Sequence, residues 1–416
     1  MSTTERTTAS SETEAGPEAP PAAPGTPKRV GRRGRRRRWR LRRIAAIVLV
    51  VVLVPVGWSY VGALTAPGSA PWTARTVEWI SDHGGRGLVV RIERWWYSWH
   101  KPPVGGTPPG GLPRGAGVFR GGSGQLPATR HLPPHLPRPA DVTPLASPHL
   151  KREGVWRATG RTVDGIPAMY TTSLRPDSVH TSLVAGVAWM DTKLLRAVLV
   201  AGTQEPGGSG WPWGAEVPLP RRTTLAATFN SGFKLSDSRG GYYSNGRSAA
   251  PLLNGEASLV IYEGGTATVA KWGRDATMGP NVASVRQNLS LIVDHGRPVP
   301  GLSQDSIAVW GATLGNQLLV WRSGVGVDRN GGLLYAAGPG MSVASLARVL
   351  AAAGAVRAME LDINTDWTSF NYYRPDPKSQ LGVDPFKLLP DMARSPDRYL
   401  VPDERDFVAM FTRAHR

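Results

Sequence analysis

The chain has 416 residues, 41% of them hydrophobic, enough for one large domain or two ordinary ones. Lys and Arg number 49 against 31 Asp and Glu, and the net charge of +18 taken alone would point to a nucleic-acid binder. Eleven of the basic residues lie between Lys28 and Arg43, so no nucleic acid is expected as a partner, and the absence of cysteine excludes a thiol nucleophile and a thiolate metal site.

Residues 1–43 read as a disordered basic cytoplasmic tail, Ser/Thr/Glu/Pro-rich before the basic cluster. Residues 44–64, "IAAIVLVVVLVPVGWSYVGAL", carry no ionisable group except Tyr60. About 20 apolar residues cross a bilayer as a helix, and the basic cluster before them fixes that end in the cytoplasm. A cleaved signal peptide is the alternative; the run exceeds the about 7–15 residues of a signal core, which favours a retained anchor. Residues 65–100 have helical spacing interrupted at Gly84-Gly85, with Trp79, Val89, Ile92, Trp95, Trp96 and Trp99 on an aromatic side. Such a segment suits the outer membrane surface, where tryptophan is enriched, or packs on the main domain. Residues 101–149 are a Pro/Gly-rich stalk. The Arg, Ala, Gly and Pro bias points to a GC-rich bacterial genome, so the expected location is a bacterial cell membrane. The chain would cross once, with its C-terminal domain in the cell envelope.

Residues 150–416 form the folded domain, mainly strands and tight turns. "TSLVAGVAWM" and "LLRAVLVAG" meet at Asp191-Thr192, "ASLVIY" and "TATVAKW" at Glu263-Gly264-Gly265. "SGVGV" and "LLYAAG" meet across Asp328 to Gly332. Short connections of this kind imply antiparallel pairing. One helix stands out, capped by Ser342, running through "VASLARVLAAA" and closed by Gly354. The fold class is α+β: a mixed, largely antiparallel sheet with a few packing helices.

The strand "AVRAMELDI" follows that helix and places Glu360 and Asp362 on one face by its period of two. Paired carboxylates repel, one keeps its proton, and the pair suits acid/base work on a glycosidic or phosphodiester bond. A solvent-facing edge strand is the plain alternative. A second concentration begins where a short apolar strand ends at Asn230, followed by Lys234 and a loop holding Tyr242 and Tyr243. Those rings suit stacking on a sugar or packing in a core. Third, Arg322 precedes a small-residue strand, placed to hold a phosphate or to pair with one of the strand carboxylates. No P-loop, Gly-x-Ser-x-Gly elbow or His-Glu-x-x-His is present, and the scattered histidines argue against zinc.

In order and spacing these segments resemble the phosphodiester glycosidase family over roughly residues 180 to 370. The family's Asn-Gly-Gly-Phe-Phe segment corresponds to Asn230-Ser231-Gly232-Phe233-Lys234. Its arginine strand corresponds to Arg322 through Asp328, and its strand end before the aspartate to Ala358 through Asp362. The family's glycine-rich turn is here Ile363-Asn364-Thr365-Asp366. The resemblance implies hydrolysis of a sugar-1-phosphodiester in an envelope glycan or glycopolymer. Asp362, Glu360, Arg322 and Asn230 would be catalytic, and Asn364, Asp366, Lys234 and Tyr242 would contact substrate. The residues fix no cofactor, and whether a metal binds stays open; a Ca²⁺ ion shared by Asp362, Asn364 and Asp366 is the one that such oxygens would suit. A catalytically inactive envelope-glycan-binding module on the same fold is the alternative function.

Overall fold

A computed structural model of the chain describes residues 32–113, 115–119, 133–302 and 319–414. Two compact units divide after Ser59. The described part of the first is the body of helix α1, Arg32–Thr65, with Pro55 inside it. Within α1, Trp39–Thr65 is long and apolar enough to cross a bilayer.

The second unit, residues 60–416, is mixed α+β and mostly antiparallel. Its largest sheet has eight strands, in the order Arg297–Pro298, Leu291–Asp294, Ala355–Ile363, Val320–Asp328, Leu333–Met341, Ala185–Met190, Met169–Leu174 and Arg157–Ala158. A five-stranded sheet runs Val383–Lys387, Phe370–Pro375, Leu225–Asn230, Phe407–Thr412, Leu195–Val200, and a second one is built on Ala257–Tyr262. The main core lies where these sheets face each other, joining Met359, Leu361 and Tyr335 of the first to Phe229, Phe370 and Met410 of the second. On the other face of the eight-stranded sheet, helix Val343–Ala352 buries Leu346 and Leu350 against Ala358 and Ile292. The arginine strand is made of small residues because this helix lies directly on it. A Cβ at Gly324 would stand 2.9 Å from both Leu350 Cδ1 and the Met359 carbonyl.

The hairpins "ASLVIY"/"TATVAKW" and "SGVGV"/"LLYAAG" pair as the sequence predicts. The expected pairing across Asp191-Thr192 does not form: Ala185–Met190 and Leu195–Val200 belong to different sheets. Asp191 turns the corner. Its Oδ1 accepts from the Lys193 and Leu194 N–H groups, and its Oδ2 from that of Leu136. Leu136 and Val142 are buried in one cluster with Trp156, so the end of the proline-rich stretch packs on the domain.

Ahead of the domain, α2 (Trp72–Ile80) and α3 (Arg86–Trp99) are joined by a wide turn, Ser81–Gly85, in which Gly84 takes φ 85°. Ala70 and Ala74 bury against Trp367. Arg75 fixes this corner: it donates to the carbonyls of Leu64, Ala66, Gly68 and Ala70 and pairs with Glu404 at 3.1 Å.

Ser342 accepts from the Ser345 N–H at 3.0 Å and Ser345 returns the bond, closing a capping box. Ser342→Ala is expected to lower unfolding stability by about 1 kcal/mol in a urea titration.

Candidate functional site

The carboxylate strand carries a bulge where it matters. Gly324 pairs with Glu360 but Arg322 pairs with Ile363, so three residues of one strand oppose two of the other. A bulge re-aims side chains, and the two carboxyls enter different networks. Glu360 is fully buried, with Oε1 2.5 Å from Arg322 Nη1. Arg322 is 2% exposed and its Nε donates to the Met341 carbonyl, so it has no open face for a phosphate. Of the two roles that its sequence position allows, the structure gives the buried pair with a strand carboxylate. Burial raises the Glu360 pKa, and Arg322 opposes that rise.

Asp362 meets a different arginine. Its Oδ2 lies 2.7 Å from Arg405 Nη2, and its Oδ1 accepts from the Ile363 N–H at 2.9 Å. Burial pushes its carboxyl up to about 7, against the pull of Arg405 and Arg398 and with a push from Glu78. A carboxyl near neutrality at a strand end is suited to proton transfer.

Asn230 holds this strand end in place. Its Oδ1 accepts from the Ser369 N–H and the Tyr335 hydroxyl, and its Nδ2 donates to Ser323 Oγ and the Ser231 carbonyl. Ser323 Oγ in turn donates to the Asp362 carbonyl at 2.6 Å, and the Asp362 N–H donates to the Ser231 carbonyl. Every polar atom of the amide is used, so Asn230 positions Asp362 and does not present itself to a ligand. Lys234 reaches Glu78 at 3.3 Å and Asp82 at 3.2 Å. Tyr242 is fully buried, edge-on to Trp211 with ring centroids 5.4 Å apart, so it packs and cannot stack on a sugar in this arrangement.

The turn without glycine is built by Asn364, which takes φ 85°. Asparagine visits the left-handed region more readily than other non-glycine residues. Its Oδ1 accepts from the Asp366 N–H, while half-buried Asp366 has its pKa raised by burial against Arg394 and Arg398. Of the oxygens expected to share a Ca²⁺, both of Asp362 and the Asn364 Oδ1 already meet protein donors. Among the described residues no group of three or more His, Asp or Glu is placed to hold a metal ion.

The segment that the sequence reading missed is "DERD", Asp403 to Asp406, all buried. Arg398 donates to both Asp403 oxygens and to Ser369 Oγ, and Arg286 pairs with Asp406 at 2.8 Å. The Trp367 ring faces the guanidinium groups of Arg394, Arg398 and Arg405 at 5.1–5.4 Å. Four consecutive charges leading straight into the apolar strand "FVAMF" were the available signal, since charges so placed are costly unless paired.

Two outcomes follow for this strand end. The unfolded Asp362 pKa is about 3.9, so the folded chain holds the proton between about pH 4 and 7. Its stabilising contribution is full below about pH 4 and is lost as pH rises to about 7. The stability difference between wild type and Asp362→Asn, read by denaturant titration, should move in that sense and be flat above. At the turn, Asn364→Gly should stay within about 1 kcal/mol of wild type, whereas Asn364→Val should cost about 1–2 kcal/mol.

Residues 223–362 match the family model described as phosphodiester glycosidase. Among solved structures, the chain is similar to the zebrafish N-acetylglucosamine-1-phosphodiester alpha-N-acetylglucosaminidase catalytic domain, auto-inhibited by its pro-peptide. The identity is 14% over 60% of this chain and 85% of that one, with a TM-score of 0.39. A hypothetical protein from Synechocystis is 14% identical over 61% and 64% of the two chains, with a TM-score of 0.35. A putative exported protein from Burkholderia pseudomallei is 11% identical over 56% and 74%, with a TM-score of 0.23. No curated protein matches the chain. The segment that carries Asn230, Arg322, Glu360 and Asp362, residues 223–362, is of the phosphodiester glycosidase family.

Proposed function

We propose that the chain hydrolyses a sugar-1-phosphodiester of a cell-envelope glycan or glycopolymer, held outside the cytoplasm by α1. One observation carries this reading: within the segment that matches the family, Asp362 is a buried carboxyl poised near neutrality beside a guanidinium. In the reaction, a water oxygen attacks the anomeric carbon and the bond from that carbon to the phosphate oxygen breaks. Asp362 takes the proton from the water. The leaving phosphomonoester carries away the bonding electron pair, and Arg405 and Lys234 hold its charge. Asn230 is a positioning residue in this scheme, because its amide fixes the Asp362 backbone. Glu360 and Arg322 stiffen the strand from its other side as a buried pair. Asn364 and Asp366 shape the rim.

The test is sugar release by the full chain in detergent from a panel of hexosyl-1-phosphodiesters with methyl and long-chain alkyl esters. Asp362→Asn should lower kcat about a hundredfold or more, and Arg405→Leu should chiefly raise KM. Binding of the panel without sugar release would instead support a catalytically inactive glycan-binding module. Full turnover by Asp362→Asn would remove the acid/base assignment.

A further inference from the structure

The two cations given to the phosphate already hold an anion. Glu78 of α2 stands 3.4 Å from Arg405 Nη1 and 3.3 Å from Lys234 Nζ, and Asp82 stands 3.2 Å from the same lysine. Glu78 lies one turn beyond Ala74, on the side of α2 that buries against Trp367. Arg75 seats the helix from the other end, through four carbonyls of residues 64–70 and Glu404. A carboxylate between two cations has the charge, and the place beside Asp362, that a phosphodiester anion would take.

The far side of this helix pair has a different character. On α3, Leu88, Ile92, Trp95 and Trp99 recur at i, i+4, i+7 and i+11 and are each more than half exposed, as are Trp96 and Trp72. A tryptophan-rich stripe on a short helix suits the headgroup layer of a bilayer. The chain supplies that layer: the candidate membrane span ends at Thr65, seven residues before α2 begins. Gly84 and Gly85 form the joint between α2 and α3.

We propose that α2 and α3 form a bilayer-seated latch, in which Glu78 fills the anion position at Lys234 and Arg405 until a lipid-borne sugar-1-phosphodiester displaces it. The substrate class is thereby narrowed to phosphodiesters whose phosphate is esterified to a membrane lipid. Water-soluble phosphodiesters meet a site closed by Glu78. This inference rests on the reading of the Asp362 site as a phosphodiester site.

The experiment uses the full chain in phosphatidylcholine/phosphatidylglycerol vesicles. Sugar release is compared for a methyl hexosyl phosphodiester in solution and the same hexosyl phosphate esterified to a long-chain isoprenoid alcohol in the bilayer. Wild type should cleave the lipid ester and spare the methyl ester. Glu78→Gln should raise cleavage of the methyl ester about tenfold by opening the site more often. Equal cleavage of both esters by wild type, unchanged in Glu78→Gln, would overturn the latch and leave the proposed activity standing. Amide exchange over residues 72–82 serves as a readout that needs no activity. It should quicken in Glu78→Gln and on adding the lipid ester, and exchange unmoved by either would also overturn the latch.

Discussion

The geometry of the site depends on the contact between Asp362 and Arg405, a carboxylate stripped of water and facing one guanidinium. Desolvation alone would drive Asp362 to its neutral form, and an unopposed cation would drive it to its charged form. Burial wins this balance over the pull of Arg405, which leaves the carboxyl raised to about 7. Such a balance needs rigid surroundings, because a shift of 1 Å changes the Coulomb energy far more in a dry site than in water. The Asn230 amide supplies the rigidity by tying the ends of several strands into one hydrogen-bonded unit.

Charge on this face is handled as a chain of pairs. Arg398 faces Asp403, Arg286 faces Asp406, and Arg75 and Arg394 approach Glu404. Buried pairs of this kind add little net stability, but loss of one partner is expensive. They are better understood as fixing position. Each guanidinium donates in a planar fork, so its partners must sit at set angles. Trp367 fills the space among three of these forks and links the site to α2 through Ala70 and Ala74.

Much of this architecture was legible in the sequence. Two of the three hairpins, the Ser342-capped helix and the strand end at Asp362 are local features, encoded by alternation, turn residues and caps within short windows. The corner at Asp191 was hidden because two apolar strands with a short link look the same whether they pair or part. The separation of Glu360 from Asp362 was hidden for a related reason. The period of two places both on one face, and only the register against Val320–Asp328 reveals the extra residue. Arg322 had two readings, phosphate holder or structural pair, and periodicity had no means to choose. Arg405 and Glu78 lay beyond reach altogether, since nothing local connects "DERD" with α2 or with the Asp362 strand.

Arg405 is 43 residues from Asp362 along the chain and 327 from Glu78, and the bond from Ala70 to Glu404 spans 334. Contacts so far apart form late, because loop closure must come before they contribute any energy. Until the fold buries it, Asp362 is an ordinary hydrated acid, ionised at neutral pH. Its raised proton affinity is therefore a property of the completed fold alone. A partly folded chain would carry the whole sequence motif and still lack the chemistry, so the protonation state of one side chain reports whether the domain has closed.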